Sequence, residues 1–306
     1  MERQTQAYLY AAGAVLAWAT AASAFKLSLQ SLTPLELLLL ASLTSTTLLG
    51  LMLLLQRRLG ELRRWPRADW WRSLGLGALN PFLYYLVLLQ AYARLPAQEA
   101  QPLNYVWPLV LTVLSSLVLR QPLSLRVLGA MLVSLCGIAV ISTRGEPWAL
   151  RFADPLGVGL ALGSTLIWAS YWLLTARDTV EPVLRLFANF LCGSLLVLAW
   201  WWLTATPRAL PLAGVLGAVY VGVFEMGLTF VLWLTALRRS RTAAQVSGLV
   251  YFSPFLSLLC IALVLGERIR ASTLCGLLLI VGGIVLQQYA GRRSRRADVA
   301  ASGAAS

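Results

Sequence analysis

The polar residues with the greatest chemical potential lie in one apolar run, between Gln98 and Pro108, where the sequence reads QEAQPLNYVWP. Gln101 and Tyr105 are four residues apart and share a helix face. Within a membrane span, polar side chains of this kind face the interior of the helix bundle or water. Pro102 and Pro108 remove backbone donors, so the sequence predicts a discontinuous helix whose freed carbonyls bind an ammonium and whose freed N–H groups bind a carboxylate. The alternative is a hinge with polar groups that satisfy one another.

A second polar group interrupts an earlier apolar run at Asn80 and Pro81. Proline frees a backbone carbonyl and bends a helix, and Tyr84 follows Asn80 by one helical turn. We therefore expect Asn80 and Tyr84 to line a cavity beside a hinge at Pro81. A kink that only packs against neighbouring helices is the alternative.

A third group mirrors the first near the C-terminal end of the chain. Tyr251 and Pro254 repeat the spacing of Tyr105 and Pro108, and Ser247 precedes Tyr251 by one helical turn. The sequence therefore predicts substrate contacts at Ser247 and Tyr251 and a second hinge at Pro254. A static kink remains the alternative.

Two tryptophans and one carboxylate lie at the centres of apolar runs. Trp18 and Trp168 are unusual there, because membrane tryptophans prefer interfaces and their indole N–H groups need partners. They are predicted to line an aromatic cavity, with helix packing as the alternative. Glu225 is costly at such a depth. It is predicted to couple protons or bind a substrate ammonium, or else to be a neutral residue bonded to a neighbouring helix.

The composition argues against several other classes of function. The sequence has no histidine and no phosphate-binding loop, zinc-protease or serine-hydrolase motif, so we expect neither an enzyme nor a metal or cofactor. The net charge of +13 comes from arginines between and after the apolar runs. That distribution favours lipid contact over nucleic-acid binding.

Ten apolar runs must position these residues. Mean hydropathy is +0.74, 59% of residues are hydrophobic and 12% are charged, about half the charged fraction of soluble proteins. Each run is long enough to cross a hydrocarbon core, where backbone groups must be paired internally. The sequence therefore predicts an all-α polytopic membrane protein. The predicted spans are 8–29, 34–55, 73–92, 98–119, 124–142, 155–175, 183–203, 212–236, 242–265 and 272–290.

The chain also repeats itself. Gly13, Trp18 and Ala19 recur 150 residues later, and Tyr105 and Pro108 recur 146 residues later. Five spans in each repeat force the second repeat to enter the membrane upside down, with a site expected at the interface between the repeats. We predict a first repeat over 1–145, an inverted second repeat over 150–291 and a disordered basic tail over 292–306.

The distribution of positive charge orients the spans. With a cytoplasmic N-terminus, 18 of the 25 arginine and lysine residues fall in inside segments and 7 in outside segments. Positive charge is enriched on the cytoplasmic side. The sequence therefore predicts that both termini are cytoplasmic.

These motifs together resemble the EamA-type drug/metabolite transporter superfamily over residues 8–290. The resemblance rests on the Trp-Ala pairs at 18 and 168, the two Tyr-x-x-Pro motifs, and Leu265-Gly266-Glu267. The chain departs from it at Arg120-Gln121, which stands where the second repeat has Gly266-Glu267, and at Cys275, where the first repeat has Gly129. The aromatic-rich centre is similar to the aromatic amino-acid exporter branch (YddG-like). The residues that carry this likeness are Trp18, Tyr84, Tyr105, Trp107, Trp168 and Tyr171.

The resemblance implies a secondary transporter in a bacterial inner membrane that exports amino acids, aromatic ones included, by alternating access. Trp107 and Tyr171 join the predicted substrate-binding residues on this basis. One alternative is a multidrug exporter of lipophilic cations that uses Glu225 as the charge partner. Another is a non-transporting membrane scaffold. The sequence leaves the oligomeric state open, and a monomer is plausible.

Overall fold

A computed structural model describes residues 3–119, 123–149, 154–176, 178–206, 208–241, 246 and 248–303. Every regular element in these segments is helical. The helices are α1 Arg3–Ser28, α2 Pro34–Leu55, α3 Arg67–Arg94, α4 Ala97–Asn104, α5 Trp107–Leu119, α6 Leu125–Ser142, α7 Pro155–Thr175, α8 Pro182–Thr204, α9 Leu212–Arg239, α10 Gly248–Leu265 and α11 Ala271–Gly303.

Nine helices of the described chain are long and apolar enough to cross a membrane. The predicted fourth span, 98–119, is instead divided into α4 and α5, with Tyr105 and Val106 between them. The division follows from the two prolines, because Pro102 lies in α4 and Pro108 is the second residue of α5. Neither proline has an N–H to continue the helical hydrogen bonding. The predicted total of ten spans therefore stays a prediction.

Local sequence signals set the ends of several helices. α2 begins with a capping box, in which the Thr33 side chain accepts from the Glu36 N–H and Glu36 accepts from the Thr33 N–H at 2.8 Å. α7 begins after Asp154, which accepts from the Gly157 N–H at 2.8 Å. That bond, with a smaller contribution from Arg94, holds the pKa of Asp154 below its ordinary value. α10 ends at Gly266, whose φ of 67° suits glycine.

Two of the long helices are interrupted within their spans. α3 contains a wider, π-helical segment, Ala78–Leu83, in which Asn80 leaves helical geometry before Pro81. The Asn80–Pro81 peptide bond is cis. α9 contains a similar π-helical segment, Val221–Glu225, which has no proline. Each segment releases backbone groups from the regular pattern at a polar residue.

The two halves of the chain interdigitate. α1 packs against α9 and α10, α2 against α8, α3 against α7 and α8, and α6 against α11. One polar link between halves is the hydrogen bond of 2.9 Å between Thr46 Oγ1 and Ser194 Oγ. The centre of the bundle is therefore an interface between the two halves.

α6 and α11 cross antiparallel at very short range. Gly137 faces the backbone of Gly276, and Gly283 faces the backbone of Ala130. Near the middle of this crossing, Ser134 Oγ donates to the Ile280 carbonyl at 3.1 Å. Small residues let helix backbones approach each other in a membrane, so these glycines fix the distance between α6 and α11.

The helix contacts do not test where the two predicted repeats begin and end. The repeats over 1–145 and 150–291 remain predictions, as does the disordered tail over 292–306. The backbone of α11 extends to Gly303, and residues 304–306 lie outside the described part of the chain.

Candidate functional site

An aromatic cluster centred on Trp168 occupies the interface between the halves. The Trp168 ring is stacked on Tyr84 of α3, with centroids 4.5 Å apart and planes at 23°. It also contacts Tyr171 and Trp172 of α7, each at 5.7 Å, and Phe230 of α9 at 5.9 Å. Three helices thus converge on one indole ring. Offset and edge-on arrangements of this kind are the favourable aromatic geometries.

Trp18 joins the same cluster from α1. Its ring meets the edge of Phe230 at 6.1 Å and lies 5.5 Å from Trp233. Phe230 therefore lies between Trp18 and Trp168, the two tryptophans at matched positions in the repeats. On the other side, Trp107 is stacked at 6.5 Å on Trp172.

A chain of hydrogen bonds runs beside the aromatic cluster. The Tyr84 hydroxyl donates to Asn104 Oδ1 at 3.2 Å, and Asn104 Nδ2 donates to Ser164 Oγ at 2.9 Å. Ser164 Oγ in turn donates to the Ala161 carbonyl at 2.6 Å. These bonds join α3, α4 and α7. They therefore connect the C-terminal end of α4, in the divided fourth span, to the stacked rings.

Glu225 reaches the same region from α9. Its Oε1 accepts from the Tyr85 hydroxyl at 3.2 Å, and the Tyr85 ring lies 4.8 Å from that of Tyr84. The second carboxylate oxygen, Oε2, is buried, and no described residue bonds to it. A buried acceptor without a partner is costly, so Oε2 is suited to receive a donor from a ligand.

Asn80 presents a second buried polar group. Its side chain is fully buried, its amide interacts with the Tyr171 hydroxyl, and its Oδ1 has no hydrogen-bond partner in the described part of the chain. Asn80 lies in the π-helical segment of α3, and Glu225 is the last residue of the π-helical segment of α9. Each half therefore places a polar side chain at an interrupted helix.

The structure brings together some of the sequence-predicted residues and separates others. Tyr84, Trp168 and Tyr171 are in direct contact, while Trp18 and Trp107 join them through a third ring. Tyr105 instead donates to the Val250 carbonyl. Tyr251 accepts from Gln288 of α11. Both tyrosines therefore form links with the C-terminal half outside the aromatic cluster.

The remaining predicted residues are less defined. Gln101 Oε1 is buried without a partner among the described residues, and Ser247 lies outside them. Four prolines were predicted as hinges. Pro81 lies at the interruption of α3, Pro102 lies inside α4, and Pro108 lies at the start of α5. Pro254 lies where the 3₁₀-helical turn Gly248–Phe252 of α10 gives way to α-helix. Whether they act as hinges stays a prediction.

Several contact residues were not predicted from the sequence. Ser164 and Phe230 carry no distinguishing sequence signal. Tyr85 is next to Tyr84, and Asn104 shares a helix face with Gln101. Their proximity to predicted site residues could therefore have identified both from the sequence. The described residues hold no cluster of three or more potential metal ligands.

The N-terminus of α4 is held by a polar cluster at one end of the bundle. Glu267 accepts from the N–H groups of Ala97 and Gln98 at 3.0 and 3.3 Å. Glu99, which is 2% exposed, forms ion pairs with Arg144 at 2.8 Å and with Arg270. These contacts, which we term the α4 clamp, fix α4 against the segment before α11.

Replacing Glu267 with alanine is expected to destabilise the protein by about 1–3 kcal/mol. It removes a charged acceptor from two backbone donors at a helix N-terminus. Thermal unfolding in detergent measures the effect, and Glu146→Ala is the matched control because Glu146 is an exposed loop carboxylate. Equal unfolding temperatures for the two variants would contradict the role of the α4 clamp.

A comparison with protein families now defines the class of protein. The model of the EamA-like transporter family matches residues 5–143 and 155–287. The chain belongs to the EamA-like transporter family. This EamA-like chain is thus a multi-pass membrane transporter that handles small-molecule substrates within the lipid bilayer.

Similar proteins are known from two bacteria. Protein PecM of Dickeya dadantii (strain 3937) is 27% identical over 267 residues, covering 85% of this chain and 86% of PecM. The uncharacterized transporter YvbV of Bacillus subtilis (strain 168) is 25% identical over 268 residues, 83% of each chain. Neither name specifies an amino acid, so the narrower resemblance to aromatic amino-acid exporters stays a prediction.

A solved crystal structure of a protein is among those that share this fold. It aligns with a TM-score of 0.66 at 23% sequence identity, and the alignment covers 94% of this chain and 98% of that one.

Proposed function

We propose that the chain is a secondary transporter that exports amino acids, aromatic ones included, across a bacterial inner membrane by alternating access. The observation that carries the proposal is the Trp168 cluster beside two polar side chains, Glu225, which has an unpaired carboxylate oxygen, and the buried Asn80. Aromatic side chains with a few convergent polar groups are the typical composition of a small-molecule site.

The chemistry of an amino acid matches these groups. In the proposal an aromatic side chain of the substrate adds a ring to the cluster of Tyr84, Trp168 and Phe230, with a gain of about 0.5–1.5 kcal/mol for each ring pair beyond area burial. Glu225 Oε2 is an acceptor for the ammonium, and the Asn80 amide, which interacts with the Tyr171 hydroxyl, has a second N–H to donate to the carboxylate. In this arrangement the substrate satisfies the unpaired oxygen of Glu225.

Inverted repeats are supported by the crossing of α6 and α11. Residues 130 and 276 are equivalent at an offset of 146, as are 137 and 283. In the crossing, 137 meets 276 and 130 meets 283. Antiparallel helices that exchange equivalent positions are related by a two-fold axis perpendicular to them. In a membrane, that axis lies in the bilayer plane, and ten spans follow if α4 and α5 form one broken span.

The orientation of the bundle is proposed from the arginine distribution. It places both termini in the cytoplasm, with the α4 clamp at the opposite, outer end. In the structure the clamp draws α4 and the segment before α11 together. We interpret it as a closed outer gate, which alternating access would open.

Reconstituted transport tests the proposal. Purified protein in liposomes is expected to accumulate labelled phenylalanine and tryptophan, and Trp168→Ala is expected to lower the initial rate at least about tenfold, a loss of about 1.4 kcal/mol. Trp148→Ala is the control, because Trp148 is 96% exposed. If wild-type protein takes up none of the twenty amino acids, the proposed substrate class is wrong.

Export of lipophilic cations is the second candidate. It is favoured by the unpaired Glu225 oxygen beside aromatic rings, which also attract cations. Tetraphenylphosphonium uptake in the same liposomes separates the two candidates. Uptake of the cation without uptake of any amino acid would replace the first proposal with the second. A scaffold would show neither activity.

A further inference from the structure

A cavity of about 370 Å³ lies between the N-terminal end of α1 and the C-terminal end of α9, outside the aromatic cluster. We term it the arginine cavity. Its lining residues are Arg3, Gln4, Arg238, Arg239, Ser240 and Arg241. Four arginine residues thus line one open volume.

The positive charge around this cavity is poorly compensated. Arg238 pairs with Glu181 at 2.6 Å. Arg239 donates to Gln6 and lies over the Tyr10 ring, 5.4 Å from its centroid. Among the ion pairs of the described residues, none joins Arg3, Arg239 or Arg241 to a carboxylate. Among the described residues, one carboxylate, Glu181, therefore pairs with one of the four arginines.

Gln4 adds an unpaired donor to the same cavity. Its Oε1 accepts from the Arg241 N–H at 2.8 Å, which orients the side-chain amide. Its Nε2 is buried and has no hydrogen-bond partner within the described ranges. Arginine side chains can only donate, so they cannot satisfy Nε2. An acceptor would satisfy Nε2, and the surrounding positive charge favours an anionic one.

We propose that the arginine cavity binds a phosphate-bearing anion, either the phosphodiester of an anionic lipid headgroup or free phosphate. Phosphate oxygens accept bidentate hydrogen bonds from guanidinium groups. The cavity lies at the ends of two membrane-spanning helices, α1 and α9, which is the level of lipid headgroups. The inference does not depend on which substrate the transporter carries.

Thermal unfolding of the purified full chain tests the site. Phosphatidylglycerol added to detergent is expected to raise the unfolding temperature more than phosphatidylcholine, because a ligand bound only by the native state stabilises it. The double variant Arg3→Gln/Arg241→Gln is expected to lose at least half of that difference. Arg63→Gln/Arg64→Gln is the matched control, since these two arginines are exposed, carry the same charge and lie outside the cavity.

A parallel series with inorganic phosphate separates the two sources of phosphate. Stabilisation by phosphate equal to that by phosphatidylglycerol assigns the site to the free anion, whereas stabilisation by the lipid alone assigns it to the headgroup. An unchanged lipid effect in Arg3→Gln/Arg241→Gln, or an equal loss in both double variants, overturns the site.

If the cavity variant does not fold, native mass spectrometry of the wild-type protein decides. Delipidated protein mixed with both lipids is expected to bind phosphatidylglycerol in preference to phosphatidylcholine, or, with inorganic phosphate, to show a phosphate adduct. If the protein shows no lipid preference and no phosphate adduct, the inference is overturned.

Discussion

Glu225→Gln is expected to lower the initial rate of phenylalanine uptake into proteoliposomes at least about tenfold. Glutamine keeps an oxygen that can accept from the Tyr85 hydroxyl, so the local packing is retained. It removes the charge that the unpaired Oε2 offers to a substrate ammonium. A hydrogen bond to a charged group is worth about 1.5–3 kcal/mol, and about 1.4 kcal/mol is a factor of ten in rate.

The control for this variant is Glu146→Gln, which neutralises an exposed loop carboxylate and is expected to leave uptake unchanged. Unfolding temperatures of both variants in detergent show whether the loss of uptake comes from instability. Wild-type uptake by a folded Glu225→Gln variant would exclude Glu225 as the ammonium partner. Loss of tetraphenylphosphonium transport with normal phenylalanine uptake would favour the cation exporter.

Gly77→Ala is expected to destabilise the bundle by about 1–3 kcal/mol, the usual cost of overpacking. A β-carbon at Gly77 would overlap the Asn189 carbonyl and lie 2.8 Å from the Gly193 nitrogen. Gly193 in turn packs against Pro81, so backbone rather than a flexible side chain must move. The shift would separate α3 from α8 beside the Asn80 interruption. We therefore also expect slower uptake.

Gly75→Ala provides the comparison for Gly77→Ala. Gly75 lies two residues earlier in the same helix, and nothing approaches the position of its missing β-carbon within 4 Å. Alanine is favoured over glycine in helices by about 1 kcal/mol, so Gly75→Ala is expected to be neutral or mildly stabilising. Similar unfolding temperatures for Gly75→Ala and Gly77→Ala would show that α3 and α8 do not approach as closely as described.

The helices were predictable because long apolar runs admit few other structures in lipid. Nine predicted spans correspond to helices that are long enough, although α3 extends beyond the predicted 73–92 to Arg67–Arg94. The division of the fourth span was also indicated, since Pro102 and Pro108 predicted a discontinuous helix. The interruption at Val221–Glu225 was not, because it contains no proline and a π-helical segment has no clear sequence signature.

The site was only partly predictable for a different reason. Trp18 and Trp168 were identified by their unusual depth, and Asn80 and Glu225 by their polarity. Their partners depend on contacts between distant segments, such as Asn104 with Ser164. A serine in an apolar helix is common, and nothing in the local pattern selects Ser164 over the others. The placement of Tyr105 and Tyr251 outside the cluster likewise follows from packing.

The antiparallel crossing of α6 and α11 limits how the two halves can diverge. Because Gly137 meets Gly276 and Gly283 meets Ala130, a larger residue in one half has to be accommodated by the opposite half rather than by its own helix. Substitutions at these four positions should therefore accumulate as compensating pairs. A duplicated chain of this kind evolves as two partners, each constraining the sequence of the other.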